Sequence, residues 1–292
     1  MTTSFDSPKP TFVVIGAMKC ATSTVCAYLE DHPDTFMVPG AEPNYFSHDE
    51  NWDRGAEYYA SFFAGAEEFA QRGEGSNDYA NAGRYPDSAS RMAGFAPDLK
   101  LVYMVRDPLA RIRSDWIQRR VDQGDNVPAE LREAVVRNPE IYLDQSLYWK
   151  NLSKYRAFFS DNAIFLGFME DMMSEPDGFF AELTEFLGIS EFPPSRGHLN
   201  PSSGKRVPSG LYTQLNRVPG TSFAKRLLPT GIKGIVKQKI LSRPAQTVPK
   251  GANILPAEML DVIREDARAL LSHAGKPESF WKLPPSEMSR AG

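Results

Sequence analysis

The sequence predicts an α/β protein in which a parallel sheet is flanked by helices, with a helical C-terminal extension. Two apolar runs, Phe12 to Ile15 and Leu99 to Val105, indicate buried strands, and each is followed by a helical segment. A third strand is predicted over 163–168, before a helix that ends at Gly188. Strands that alternate with helices favour a parallel sheet with right-handed crossovers.

The first strand leads into a turn that is suited to binding an anion. Gly16 and Ala17 permit a tight turn, and Lys19 adds a positive charge. Three hydroxyl residues stand where the next helix begins: Thr22, Ser23 and Thr24. Such residues can cap free backbone N–H groups, and those groups together with the helix dipole attract a phosphate. The stretch predicts a P-loop-like phosphate site; the alternative is an ordinary strand–helix turn with a surface lysine.

The spacing of this segment differs from that of the nucleoside triphosphate loop, in which lysine directly precedes the hydroxyl residue. Here Lys19 comes three residues before Thr22. Segment 16–23, Gly-Ala-Met-Lys-Cys-Ala-Thr-Ser, instead resembles the 5′-phosphosulfate loop of sulfotransferases, which use 3′-phosphoadenosine 5′-phosphosulfate (PAPS) and release 3′-phosphoadenosine 5′-phosphate (PAP). The resemblance implies that the donor contacts Gly16, Ala17, Lys19, Cys20, Ala21, Thr22, Ser23 and Thr24. Alanine at position 21 should fit only if its φ stays below zero.

A second segment resembles the part of sulfotransferases that holds the 3′-phosphate. The strand over 99–105 runs into Arg106, and Pro108 suits the first turn of the following helix. Arg106 and Ser114 are eight residues apart, about two helical turns, so both can point toward one end of the sheet. The resemblance assigns 3′-phosphate binding to these two residues. The alternative is a strand followed by a helix with a solvated basic face that includes Arg111.

A basic loop after a proline-rich break completes the predicted donor site. Its residues are Gly204, Lys205 and Arg206. They resemble, in kind and in order along the chain, the loop that sulfotransferases place over the 3′-phosphate. A short basic loop is otherwise a solvated surface.

Two acidic segments resemble the acceptor side of heparan-type and bacterial sulfotransferases. Segment 42–46, Glu-Pro-Asn-Tyr-Phe, is similar to their Lys-Glu-Pro-x-x-Phe motif, which implies that Glu42 is the base that deprotonates the acceptor. His48 is the second candidate, because the cytosolic branch of the family uses a histidine. Glu74 begins a segment similar to Glu-Lys-[Ser/Thr]-x-x-Tyr, and a structural or a catalytic role is open for it. Alanine at 41 and glycine at 75 replace the two lysines of these motifs.

These segments together predict transfer of a sulfuryl group from PAPS to an acceptor hydroxyl, with an amine as the alternative. Lys19 is expected to meet the leaving phosphate oxygen, and the reaction needs no metal. A small molecule, a lipid or a glycan would each fit as acceptor. Two other interpretations stay open: a P-loop kinase, in which 101–107 would be the metal-binding strand, and a nucleotide-binding module without catalysis.

Composition agrees with a soluble enzyme. The 292 residues are 41% hydrophobic and 24% charged, and the net charge is −4, which gives no global bias toward nucleic acid or membrane. No signal peptide or apolar span is evident, so a cytoplasmic location is predicted. Cys20 and Cys26 are expected to be reduced, and scattered histidines argue against zinc. The oligomeric state is not indicated.

The predicted organisation has three parts. Residues 1–10 are expected to be disordered, 11–206 to form the PAPS-binding core, and 207–292 to be a helical part packed on that core. Within the last part, 221–250 combines lysines and arginines with aliphatic residues and contains no acidic residue. This stretch is predicted either to pack on the domain or to form a basic lid.

Overall fold

A computed structural model describes residues 9–40, 42–194, 206–208, 242–244 and 255–285. The strands are β1 Phe12–Gly16, β2 Thr35–Met37, β3 Gln71–Gly75, β4 Lys100–Val105, β5 Ile164–Phe168, β6 Arg206–Pro208 and β7 Ser242–Pro244. The helices are α1 Thr22–Asp31, α2 Asp49–Trp52, α3 Ala56–Ala60, α4 Ser88–Phe95, α5 Pro108–Gln123, α6 Leu131–Arg137, α7 Pro139–Tyr142, α8 Tyr148–Arg156, α9 Met169–Ser174, α10 Pro176–Leu187 and α11 Ala257–His273.

The first five strands form one parallel sheet in the order β2-β3-β1-β4-β5, which confirms the predicted fold class. From β1 at the centre, the chain builds β2 and β3 on one side and β4 and β5 on the other. Ligands of such sheets bind beyond the carboxyl ends of the strands, where the strand order reverses. The loop after β1, flanked by the ends of β3 and β4, therefore occupies the position at which the fold places a binding site.

Burial explains why the two apolar runs predicted as strands form β1 and β4 in the middle of the sheet. Phe12, Val13, Leu101 and Val102 have no exposed surface, as expected for strands covered on both faces by helices. β2 and β3 were missed by the sequence analysis. The sequence of β3, Gln-Arg-Gly-Glu-Gly, has no apolar run, and its position between β2 and β1 is decided by tertiary pairing rather than by local pattern.

The C-terminal helix α11 packs on this core. Leu270 and Leu271 are buried, and Trp281 beyond the helix is 3% exposed within the same hydrophobic cluster. Asp266 accepts hydrogen bonds from the backbone N–H groups of Trp149 and Lys150, at 2.9 and 2.8 Å, and so joins α11 to the first turn of α8.

The other predicted helices are found, with shifted ends. The sequence over 84–95 predicts a helix, and α4 begins within it at Ser88. The apolar spacing over 147–159 predicts another, which corresponds to α8, Tyr148–Arg156. Gly188 ends α10 with a φ of 74°, as predicted from its position after the last apolar residue. Among the helices described, none is long and apolar enough to cross a bilayer. Gly204, Lys205, residues 1–8 and most of 221–250 lie outside the described residues, and only the backbone of Arg206 is described.

Candidate active site

The loop between β1 and α1 has an unusual backbone. Lys19 and Ala21 adopt positive φ angles of 71° and 65°, and Gly16 adopts 124°. The prediction that Ala21 keeps a negative φ is therefore wrong. A left-handed conformation costs a non-glycine residue about 1–2 kcal/mol. Such strain is typical of functional loops, where the surrounding contacts hold the backbone in place.

The start of α1 also differs from the prediction. Ala21 is the residue before the helix, and no side chain caps the first turn, so the expected hydroxyl cap is not formed. Thr22 instead donates its hydroxyl hydrogen to Asn77 Oδ1, over 3.0 Å between the oxygens. Ser23 is exposed and Thr24 is half-buried. Since no side chain takes up the N–H groups of the first turn, this helix end suits an anion.

The side chain of Cys20 is turned away from the loop surface. It is fully buried, and its Sγ lies 3.5 Å from the Tyr148 hydroxyl. Burial raises the pKa of the Cys20 thiol to about 11, so it is neutral and unreactive at physiological pH. A contact with the donor at this position would come from its backbone alone. Ala17 is buried too, and its N–H donates to the Met104 carbonyl over 2.8 Å.

Arg106 joins the end of β4 to the loop. Its Nη1 donates to the Lys19 carbonyl over 3.1 Å, and its Nε is buried without an acceptor among the described residues. Pro108 is the first residue of α5, as predicted, and Asp107 caps that helix by accepting from the Ala110 N–H at 2.8 Å. Ser114 lies farther along the same helix and is half-buried. An unpartnered guanidinium nitrogen beside the loop is what a phosphate ligand would satisfy.

Arg111 is not part of a solvated face. It is fully buried, donating to the Ser146 hydroxyl at 2.6 Å and to the Tyr142 carbonyl at 2.7 Å, and lying 3.5 Å from the Asp115 carboxylate. The alternative that this helix carries a solvated basic surface is wrong at this position. The sequence of the helix did not indicate that Arg111 is buried, because Ser146 and Tyr142, which accept its hydrogen bonds, come from a later segment of the chain.

Glu42 is held close to the loop by one asparagine. Its Oε1 accepts from Asn77 Nδ2 at 2.6 Å, and its Oε2 accepts from the Asn77 backbone N–H at 3.3 Å. Asn77 in turn accepts from Thr22. The carboxylate, the amide and the hydroxyl therefore form one chain that leads from Glu42 to the first residue of α1.

A cavity of about 270 Å³ lies beside this chain. Its described lining residues come from one face of α1, the ends of β1 and β3, and the segment after β2: Val14, Thr22, Ser23, Cys26, Ala27, Glu30, Met37, Val38, Gly40, Glu42, Gly75 and Asn77. Thr22 and Ser23 belong both to the cavity and to the predicted phosphate loop. Two predicted sites, for the donor and for the acceptor, thus adjoin at these residues.

His48 contacts acidic residues that do not line the described part of the cavity. Its Nε2 lies 3.0 Å from Asp78 Oδ2, its Nδ1 lies 3.4 Å from Glu50 Oε1, and its ring stacks on Tyr85. Among the described residues that line the cavity, Glu42 is present and His48 is not. The geometry places Glu42, and not His48, next to the phosphate loop.

Glu74 has a structural setting beneath the site. It is fully buried, and three hydroxyls donate to it: Tyr79 at 2.7 Å, Ser76 at 2.7 Å and Tyr59 at 3.2 Å. The Ser76 hydroxyl also accepts from the backbone N–H of Asn44 at 3.0 Å. Glu74 therefore holds the segment that carries Glu42. The sequence analysis missed Asn77 and Ser76, although both lie in the segment it identified after Glu74.

Burial raises the pKa of Glu74 to about 7, against the hydroxyl hydrogen bonds that act to lower it. The folded protein then binds a proton that the unfolded chain has released, so stability falls as pH rises from about 4.5 to about 7. Over that window the loss attributable to Glu74 is roughly 3 kcal/mol. Urea unfolding between pH 4.5 and 8 should show this fall in wild type and a flatter profile in Glu74→Gln. An unchanged profile in that variant, matching the surface control Glu185→Gln, would contradict the assignment.

Comparison with known proteins assigns this chain to a family. A family profile described as the sulfotransferase domain matches residues 9–216. Human heparan sulfate glucosamine 3-O-sulfotransferase 3B1 is 26% identical over 187 residues, which are 62% of this chain and 46% of the relative. Mouse heparan sulfate glucosamine 3-O-sulfotransferase 3A1 is 28% identical over 188 residues, with 62% and 46% covered. The chain spans about half the length of the curated relatives it matches.

Solved structures share the fold. A sulfotransferase from Alicyclobacillus acidocaldarius superposes with a TM-score of 0.65 at 19% identity, covering 94% of this chain and 99% of that one. The sulfotransferase domain of the Synechococcus PCC 7002 olefin synthase gives 0.52 at 15% identity, covering 90% and 96%. The family profile includes the phosphate loop, the Arg106 segment and the acidic segments described above. The chain belongs to the sulfotransferase family.

Proposed function

We propose that this protein transfers a sulfuryl group from PAPS to the hydroxyl of an acceptor. The observation that carries the proposal is the junction at Thr22 and Ser23, where a strained phosphate loop meets a cavity that holds a carboxylate. Each part alone is common. Together they provide a site for a phosphosulfate donor next to a site in which an acceptor hydroxyl can lose its proton.

The donor fits the residues around the loop. The uncapped first turn of α1 and Lys19 suit the 5′-phosphosulfate, and the unpartnered Nε of Arg106 suits the 3′-phosphate, with Ser114 as a further donor. The proposed contacts of Gly204, Lys205 and the Arg206 side chain lie outside the described residues.

The proposed reaction follows from these positions. The acceptor oxygen forms a bond to sulfur as the bond between sulfur and the phosphate oxygen breaks, and the acceptor proton passes to Glu42. Charge builds on the leaving phosphate, where the Lys19 ammonium and the N–H groups of the loop stabilise it. Asn77 keeps the Glu42 carboxylate oriented through two hydrogen bonds. A cytoplasmic location and an acceptor of small-molecule, lipid or glycan type belong to the same proposal.

Binding of PAP without metal tests the donor site. A ligand at a hundred times its dissociation constant stabilises the folded state by about 2.7 kcal/mol, so metal-free PAP should raise the melting temperature by several degrees. The rise should be much smaller in Arg106→Ala and unchanged in Arg132→Ala, an exposed arginine of α6. A rise with magnesium-ATP and none with PAP would contradict the proposal in favour of the kinase considered from the sequence.

A further inference from the structure

One face of α1 forms a wall of the acceptor cavity. Ser23, Cys26, Ala27 and Glu30 are spaced at three, four and seven residues, which places them in one stripe along the helix. Seven residues of helix span about 10 Å along the axis. Glu30 therefore stands about 10 Å from the phosphate loop, at the other end of the wall that begins beside it.

The charged side chains among the described residues that line this cavity have one sign. Among its described lining residues the ionisable carboxyls are Glu30 and Glu42, and none is a lysine or an arginine. The pKa of the Cys26 thiol is raised to about 12, mostly by burial and in smaller part by the negative charges of Glu74, Glu42 and Glu30. An acceptor with a negative charge would be repelled here, and one with a positive charge would be attracted.

Packing around Gly75 excludes a lysine side chain at this position. A Cβ atom at Gly75 would lie 2.7 Å from Cys26 Sγ, closer than side-chain atoms approach. A lysine at position 75, as in the Glu-Lys motif that this segment resembles, cannot be accommodated while Cys26 keeps its place. Cys26 is half-buried and lines the cavity. Position 41, where those enzymes carry their other lysine, is alanine.

We propose that the acceptor is a small alcohol with a cationic amine about 10 Å from the hydroxyl that is sulfated. The hydroxyl lies at Glu42 and the amine at Glu30, along the stripe of α1. The proposal rests on the proposed function. A cationic acceptor would distinguish this protein from enzymes that sulfate anionic glycans, although heparan sulfate sulfotransferases are among its relatives.

Matched probes of different charge test the acceptor class. We would use three seven-carbon alkanols, with a hydroxyl at one end and an ammonium, a second hydroxyl or a carboxylate at the other, because a flexible chain adapts to the cavity. PAP formation from PAPS gives kcat/KM for each. We expect the order ammonium, hydroxyl, carboxylate, with at least a tenfold ratio between the first and the last.

Charge reversal at Glu30 tests whether this residue causes the preference for the ammonium probe. In Glu30→Lys, kcat/KM for the carboxylate probe should equal or exceed that for the ammonium probe. Glu182→Lys, the same change at an exposed residue of α10, should leave the tenfold ratio intact. Equal use of the ammonium and carboxylate probes by wild type would overturn the inference, as would an unchanged ratio in Glu30→Lys or turnover of N-sulfated heparan oligosaccharides. So would failure to use any of the three alkanols by a protein that PAP stabilises. Failure of PAP to stabilise the protein would instead overturn the proposed function.

Discussion

Lys19→Ala is expected to lower kcat by about 10²–10³-fold, because the variant loses the charge that meets the leaving phosphate oxygen. The loss should appear in kcat more than in KM, since the negative charge on that oxygen develops only as the bond to sulfur breaks. Steady-state rates of PAP formation with a saturating acceptor measure it. The fold should stay intact, because the strained loop is held through backbone contacts such as the one from Arg106 to the Lys19 carbonyl.

Lys154→Ala is the matched control for this experiment. Lys154 is exposed on α8, so its removal changes the net charge equally without touching the loop. The melting temperature and the stabilisation by PAP should be recorded for both variants. A Lys19→Ala protein that is folded, binds PAP and turns over at the wild-type rate would contradict the role proposed for Lys19.

Glu42→Gln is expected to lower kcat by about 10²–10⁴-fold, the range in which a positioned general base contributes. The one acceptor oxygen of glutamine can keep the shorter hydrogen bond from Asn77 Nδ2, whereas its amide nitrogen cannot accept from the Asn77 backbone N–H. Because the shorter bond is retained, the segment should keep its position and PAP should bind as before. The measurements are kcat, KM for the acceptor and the PAP-induced rise in melting temperature. The loss should be confined to the chemical step.

Two further variants make the result specific. Glu57→Gln, on the exposed side of α3, should behave as wild type. His48→Gln should retain most of its activity, because His48 contacts Asp78 and Glu50 outside the described cavity lining. Wild-type turnover by Glu42→Gln together with a large loss in His48→Gln would move the base to the histidine.

Much of the fold follows from local sequence. β1 and β4 are mostly apolar runs, and each is followed after a short loop by a helix, so their type and their parallel arrangement were predictable. The helix stop at Gly188 and the helix start at Pro108 depend on single residues with strong conformational preferences. β3 was missed because it is stabilised by pairing with β1 and not by its own composition.

Some features of the candidate site could likewise be predicted from local sequence, and others could not. Lys19 and Arg106 could be proposed as donor-binding residues because their spacing within each segment is a local property of the chain. The sequence analysis was wrong about the backbone of Ala21 and about the capping hydroxyls. The conformation of a loop that short depends on its surroundings, here the buried Cys20 below it and Asn77 beside it.

The central strands β1 and β4, the helices that follow them and the candidate phosphate loop could be predicted from sequence, since each is encoded over fewer than about twenty residues. The hydrogen bond between Glu42 and Asn77, which are 35 residues apart, is seen only in the folded chain. The same holds for the cavity that Glu42 shares with Glu30 and Gly75. The parallel pairing of β3 with β2 on one side and β1 on the other brings those segments together. Burial of Glu74 and the sign of the charge around the acceptor are consequences of that pairing, and no pattern within one segment contains them.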